Sequence, residues 1–258
     1  MKPQKKLGQN FLINKSAIKK IVDALEISDS DVIIEIGAGT GNLTQEILKR
    51  SKKVIAIEKD KSLISLLRLK FQKDSHSLQI IEGDVREILP TLASKLKKFK
   101  VVGNIPYYLT GRLLRIFQEL TNAPQLIVLT LQKEVAERLG AQPPRMNQLA
   151  VIVQLWAKPK IILQLKPKDF FPPPKVRSTV VQLKVKSPME RYSKEKELIP
   201  FIVCGFQQPR KTLLNNLSRE YSKEKIKKVF ERLNLTEKTR PAELSVEMWI
   251  TLFEYLNS

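Results

Sequence analysis

The sequence predicts an α/β protein: a mostly parallel sheet covered by helices on both faces, ended by an antiparallel hairpin and followed by a small all-helical domain. Three observations carry this. Short apolar runs alternate with amphipathic stretches between residues 32 and 131, and strand–helix alternation of that kind argues for a covered parallel sheet. Two extended segments then flank a proline-rich loop. Past Ser187-Pro188 the chain turns helical and strongly basic.

The elements follow in order. Residues 15–26 place Ile18, Ile21, Val22 and Leu25 on one helical face. Runs at 32–36, 54–58, 78–82, 100–103 and 126–131 are apolar and mostly β-branched or leucine; they suit buried strands and are too short for helices. Residues 60–73, with Leu63, Leu66, Leu67 and Phe71, and residues 111–120 read as helices between them. After Pro159, Ile161–Leu165 and Thr179–Val185 are extended around Phe170-Phe171-Pro172-Pro173-Pro174, which suggests the terminal hairpin. The expected domains are therefore 1–187 and 188–258. The stretch carrying Arg210, Lys211, Arg219, Lys223, Lys225, Lys227 and Lys228 reads as too polar to build much core, so its charge needs a use.

Composition narrows the partners. The 258 residues include 46 Lys+Arg against 26 Asp+Glu, a formal charge of +20, which favours a polyanion such as nucleic acid over a neutral metabolite. No apolar run reaches the length of about 18 residues that a spanning helix needs. Met1 to Lys6 is basic, but Leu7-Gly8-Gln9-Asn10-Phe11 is not the apolar core of a signal peptide. One cysteine, Cys204, excludes an internal disulfide and a thiolate zinc cluster, and the one histidine, His76, lies in a polar loop. A cytoplasmic monomer without a structural metal is the expectation.

Two motifs carry chemistry. Asn104-Ile105-Pro106-Tyr107 follows the run at 100–103, at the strand end where open α/β sheets bind ligands. The Asn104 amide oxygen and the Ile105 carbonyl can accept hydrogen bonds from an amino group. Pro106 stiffens the turn, and Tyr107 can stack on a flat ring. Together they describe a holder for the exocyclic amine of a nucleobase. The second motif, Glu35 to Thr44, is a glycine-rich turn opening a helix. Gly37, Gly39 and Gly41 allow a tight turn with backbone N–H groups close to a ligand. A dinucleotide fingerprint would place its third glycine at 42, where this chain has Asn42. The spacing instead resembles motif I of S-adenosylmethionine-dependent methyltransferases. Glu58 ends the second strand, where it can take ribose hydroxyls, and Asp84 follows the third, where it can accept from an adenine amino group.

With these motifs in place, the chain resembles the small-subunit ribosomal RNA adenine N6-dimethyltransferases. The resemblance runs from Gln9-Asn10-Phe11-Leu12 through both motifs to Gln132–Ala136, Phe170–Val176, Phe206–Thr212 and Arg240–Ser245. It implies a Rossmann-like class I methyltransferase sheet, S-adenosylmethionine as methyl donor, and the small ribosomal subunit as partner. It implies cofactor contacts from Asn10, Leu12, Gly37, Gly39, Glu58, Asp84 and Asn104. Tyr107 and Phe170 would sandwich a flipped adenine, while Lys175, Arg210 and Lys211 would contact RNA. The chain departs from the family at Pro143–Gln148 and at Thr110-Gly111. A large-subunit rRNA adenine methylase, a DNA adenine methylase and a non-catalytic assembly factor on the same fold remain alternatives; a nicotinamide dehydrogenase fits least.

Overall fold

The structure, a computed structural model, describes residues 9–258; the basic start Met1–Lys6 and the following Leu7-Gly8 lie outside them. The chain divides into two compact units. One holds residues up to Ala136 together with Lys158–Val185; the other holds Glu137–Ala157 and Lys186–Ser258. Residues 137–157 thus group with the C-terminal unit, whereas a single cut at 187 leaves them with the first. A helix there needs the apolar partners of the later helices, and sequence order does not reveal that.

The first unit begins with β1 (Phe11–Leu12) and α1 (Lys15–Asp23). It continues with β2 (Val32–Ile36), α2 (Asn42–Leu48), β3 (Val54–Glu58), α3 (Lys61–Lys70), β4 (Leu78–Glu82), α4 (Val85–Lys95), β5 (Phe99–Asn104), α5 (Thr110–Glu119) and β6 (Leu126–Gln132). Helix α6 (Lys133–Leu139) and α7 (Gln148–Trp156) precede β7 (Ala157–Leu165), β8 (Phe170–Phe171) and β9 (Ser178–Val185). The seven-stranded sheet has the order β4-β3-β2-β5-β6-β9-β7. Strands β4 to β6 pair in parallel, while β9 runs antiparallel to β6. The expected late pair is present as neighbours. However, β7 starts four residues before Ile161 and runs through Pro159, which is tolerated because β7 is an edge strand.

Chain order runs outward from β2 to β4 on one side and from β5 to β6 on the other. The order therefore reverses between β2 and β5, the switch point at which such sheets open a crevice. Strands β2, β3, β5 and β6 are buried almost throughout, which explains their uninterrupted apolar runs. Helices start where side-chain caps allow: Asn14, Asp60 and Asp84 each accept a backbone N–H of the first turn.

The second unit has its own core, contrary to the expectation that its basic stretch is too polar for one. Beside α7 it contains α8 (Glu195–Gly205), α9 (Leu213–Leu217), α10 (Lys223–Arg232) and α11 (Val246–Asn257). Leu198, Phe201, Leu213, Leu217, Ile226, Phe230, Trp249 and Leu252 form its buried cluster, and Phe206 stacks on Trp249 at 5.2 Å. Helix α10 shows how this coexists with the charge: Ile226, Val229 and Phe230 face inward while its lysines stay exposed. The unusual 143–148 segment contributes to this core. Met146 is buried, its N–H donates to the Ala242 carbonyl at 3.0 Å, and Asn147 caps α7.

Candidate active site

A cavity opens at the switch point. Its lining includes Asn10 with Phe11 and Leu12 of β1, the loop after β2, Glu58 at the end of β3, Asp84 and Arg86 at α4, and Asn104–Leu109 from the end of β5 onward. The glycine-rich loop is held in left-handed conformations that favour glycine. At Gly39 (φ +58°) a Cβ would also lie 3.0 Å from the Phe11 ring, so a side chain there would strain the wall. Glu58 organises this loop: Oε2 accepts from the Gly39 N–H at 2.9 Å, and Oε1 accepts from the backbone N–H groups of Lys59 (2.8 Å) and Asp60 (3.0 Å). Asn42, standing where a third glycine would be, donates from Nδ2 to the Leu12 carbonyl at 3.0 Å and joins α2 to β1.

Two further carboxyl groups of the cavity lining differ sharply. Glu35 is fully buried in β2, and desolvation pushes it up to about 8, with the nearby Glu58 charge adding to the rise and Thr44 opposing it. Its Oε2 has no hydrogen-bond partner among the described residues. Asp84, in contrast, is held well below the usual carboxylate range by Arg86, whose hydrogen bonds outweigh the desolvation. Oδ1 accepts from the Arg86 N–H (3.0 Å) and Nε (2.9 Å), and Oδ2 accepts from Arg86 Nη2 (2.7 Å) and Lys59 Nζ (3.0 Å). An adenine amino group at Asp84 would have to share an oxygen that already holds two donors.

At the end of β5, Asn104 donates from Nδ2 to the Asn10 carbonyl at 2.7 Å. That bond fixes the amide and keeps Oδ1 as its acceptor. Ile105 and Pro106 follow in the lining. Tyr107 is half-buried, and its hydroxyl is 2.6 Å from Ser178 Oγ at the start of β9.

Phe170 lies on the inner side of β8. It is 3 % exposed, packs in the core with Leu12, Leu165 and Val180, and does not line the cavity. Adjacent residues of β8 face opposite sides, and Phe171 takes the exposed one.

The model of the family described as ribosomal RNA adenine dimethylase matches residues 1–258. The chain belongs to the ribosomal RNA adenine dimethylase family. Among its relatives, the ribosomal RNA small subunit methyltransferase A of Mycoplasmopsis synoviae is 41 % identical over 257 residues, covering 98 % of this chain and 97 % of the relative. A dimethyladenosine transferase from Plasmodium falciparum superposes with a TM-score of 0.82 at 29 % identity, covering 96 % of this chain and 97 % of that one. The 23S rRNA methyltransferase ErmE gives 0.79 at 22 % identity, covering 96 % of this chain and all of that one; at that identity it shows the fold. The protein is thus a methyltransferase of an rRNA-modifying family.

Within this dimethylase fold, several residues that hold the site carry no sequence signal of their own. Ser178 anchors the Tyr107 hydroxyl from 71 positions away. Gln9 donates to Asp60 at 2.8 Å, and Arg86 engages Asp84. In the second unit, buried Asn216 accepts from the Gln208 N–H (3.0 Å) and donates to the Gln208 (3.1 Å) and Thr212 (3.3 Å) carbonyls. It thereby shapes the turn that exposes Arg210 and Lys211. Lys175 is exposed in the first unit. Among the described residues, no helix is long and apolar enough to cross a membrane, and no three His, Cys, Asp or Glu side chains cluster as metal ligands.

Proposed function

We infer that the protein transfers methyl groups from S-adenosylmethionine to the N6 amines of two adjacent adenines near the 3′ end of small-subunit rRNA, giving N6,N6-dimethyladenosine. The observation that carries this is the match to the dimethylase family along the whole chain, with the Asn104–Tyr107 turn in the switch-point cavity. The protein acts as a cytoplasmic monomer on the small subunit and contributes to its biogenesis.

The cavity residues fit the methyl donor. It carries two cationic groups, and Glu35 offers a buried carboxyl oxygen without a partner in the cavity wall. The loop glycines shape the wall without side chains, their N–H groups being taken by Ile57, Glu58 and Ala38, and Glu58 brings a carboxylate to the end of β3. Asn10, Leu12, Gly37, Gly39, Glu58, Asp84 and Asn104 would hold the donor. When bound, it supplies a methyl group made electrophilic by the adjoining sulfonium.

The remaining chemistry falls to this chain. The N6 lone pair of adenine is delocalised into the ring and is a poor nucleophile. Asn104 Oδ1 and the Ile105 carbonyl, as acceptors for the amine hydrogens, favour a more pyramidal nitrogen with a localised pair. No dedicated base is needed, because the cationic product nitrogen loses its proton readily. Tyr107, fixed by Ser178, stacks on the ring and sets its plane. Such positioning supplies up to about 7–11 kcal/mol in ideal cases. Stacking worth about 1–3 kcal/mol per base offsets much of the few kcal/mol that flipping costs.

Asn104→Ala tests the reading. Under single-turnover conditions with saturating small subunits, transfer should slow by about 10²-fold, the scale of one preorganised polar contact. Subunit affinity should hardly change, because phosphate contacts dominate it. An unchanged transfer rate would reduce the motif to a structural turn.

A further inference from the structure

Strands β1 and β8 form a two-stranded antiparallel ribbon in which Phe11 pairs with Phe171 and Leu12 with Phe170. Directly opposed residues share a face, with Cβ atoms about 4.5–5.5 Å apart. Leu12 and Phe170 take the inner face and are buried in the core. Phe11 and Phe171 take the other face. Phe11 lines the cavity, and Phe171 beside it is 57 % exposed, as is Ile13, two residues beyond Phe11, at 48 %.

An exposed phenylalanine ring is unusual where most aromatic area is buried, and this ring is rigidly mounted. The Ile13 N–H donates to the Asp169 carbonyl at 2.9 Å, and Asn14 Nδ2 donates to Asp169 Oδ1 at 2.7 Å. Pro172, Pro173 and Pro174 follow, each with its φ fixed by the ring. Lys166, Lys168, Lys175 and Arg177, on the chain segments that flank it, are exposed. Asp169, the acidic residue of this stretch, is already engaged with Asn14 and with the Lys166 N–H (2.7 Å). Cations interleaved with an exposed ring match a polynucleotide strand, whose phosphates and base faces need those two features. An apolar protein patch would have to desolvate four charges.

We propose that Phe171 stacks on the nucleobase next to the target adenine and closes the gap left when that adenine leaves the stack. The proposal rests on the functional reading above and adds to it a second, separate base contact. It gives Phe171 a task distinct from that of Tyr107, which lies in the cavity itself. Apolar wedges inserted at a disrupted base step are an established way to offset unstacking.

The test compares the parent with Phe171→Leu and Phe171→Trp on small ribosomal subunits purified from cells lacking the gene. Leucine keeps an apolar side chain but removes the ring; tryptophan keeps a ring. Phe171→Leu should lower single-turnover transfer efficiency by about 5- to 150-fold, the equivalent of one stacked base. Phe171→Trp should stay near the parent. Thermal stability and S-adenosylmethionine affinity, measured by calorimetry, should be the same in all three. Parent-like transfer by Phe171→Leu, or an equal loss in both variants, would overturn the proposal. A parent that leaves these subunits unmethylated would overturn the functional reading itself, and that failure is visible without any variant.

Discussion

Glu35 shows how a single residue can work against stability at a binding site. Its folded value of about 8 lies above its ordinary 4.5. Both states are protonated at low pH, but as pH rises past 4.5 the unfolded chain ionises while the folded one keeps its proton. Stability is therefore lost between pH 4.5 and 8, at about 1.4 kcal/mol for each pH step of one. Glu35→Gln should remove this slope, so its stability advantage over the parent should grow across that window and level off above it. Urea unfolding at a series of pH values measures this; parallel curves for the two proteins would mean that Glu35 ionises freely in its pocket. Glu58 works in the opposite direction, holding the loop in shape. Glu58→Ala should weaken S-adenosylmethionine binding by about 1.5–3 kcal/mol, the scale of a charge-assisted hydrogen bond. Calorimetric titration would remove Glu58 from the site if affinity were unchanged.

At the scale of elements, the ends of β2 and β5 are tied by a buried ion pair. Asp31 is buried, and burial alone would raise its pKa. Lys100 Nζ at 2.8 Å and donors from Ser28 outweigh that and hold it well below the usual range. The stability it contributes is present above about pH 4 and is lost as pH falls toward its folded value. Lys100→Met should cost about 3–5 kcal/mol by leaving a buried charge without its main partner, and it should weaken the dependence of stability on pH in the acid range. Equilibrium unfolding of both proteins at pH 3 and pH 7 checks both effects. The central strands were legible in the sequence because both their faces are buried, so 32–36 and 54–58 read as apolar runs at the observed limits. The ribbon of β1 and β8 was not legible, since two-residue strands carry no period. For the same reason Phe170 and Phe171 could not be told apart as inner and outer rings. The motifs located Asn104, Tyr107 and Glu58 at the cavity, but Ser178, Arg86 and Asn216 act through contacts between distant segments. The core of the second unit was hidden because its apolar positions are interleaved with lysines at helical spacing.

For the whole molecule, the charge of +20 sets how it meets its substrate. Arg210 and Lys211 stand exposed on the turn that Asn216 braces, whereas Lys227 is already paired with Glu237 at 2.8 Å. The basic face is thus selective in which cations it offers to phosphates. Binding to small subunits should weaken steeply with salt, with a log–log slope of about −0.7 to −0.9 for each phosphate neutralised. Reversing Arg210 and Lys211 to Glu should flatten that slope and lower subunit affinity while leaving S-adenosylmethionine binding intact. If the double variant behaves like the parent across a salt series, the turn is a solvated cap and the RNA contacts belong to the first unit. The central claim is the identity of the product, and mass spectrometry of small-subunit rRNA from cells with and without the gene tests it most directly. The account predicts two adjacent N6,N6-dimethyladenosines near the 3′ end when the gene is present and unmodified adenines at both positions when it is absent. Identical modification in the two RNAs would contradict it.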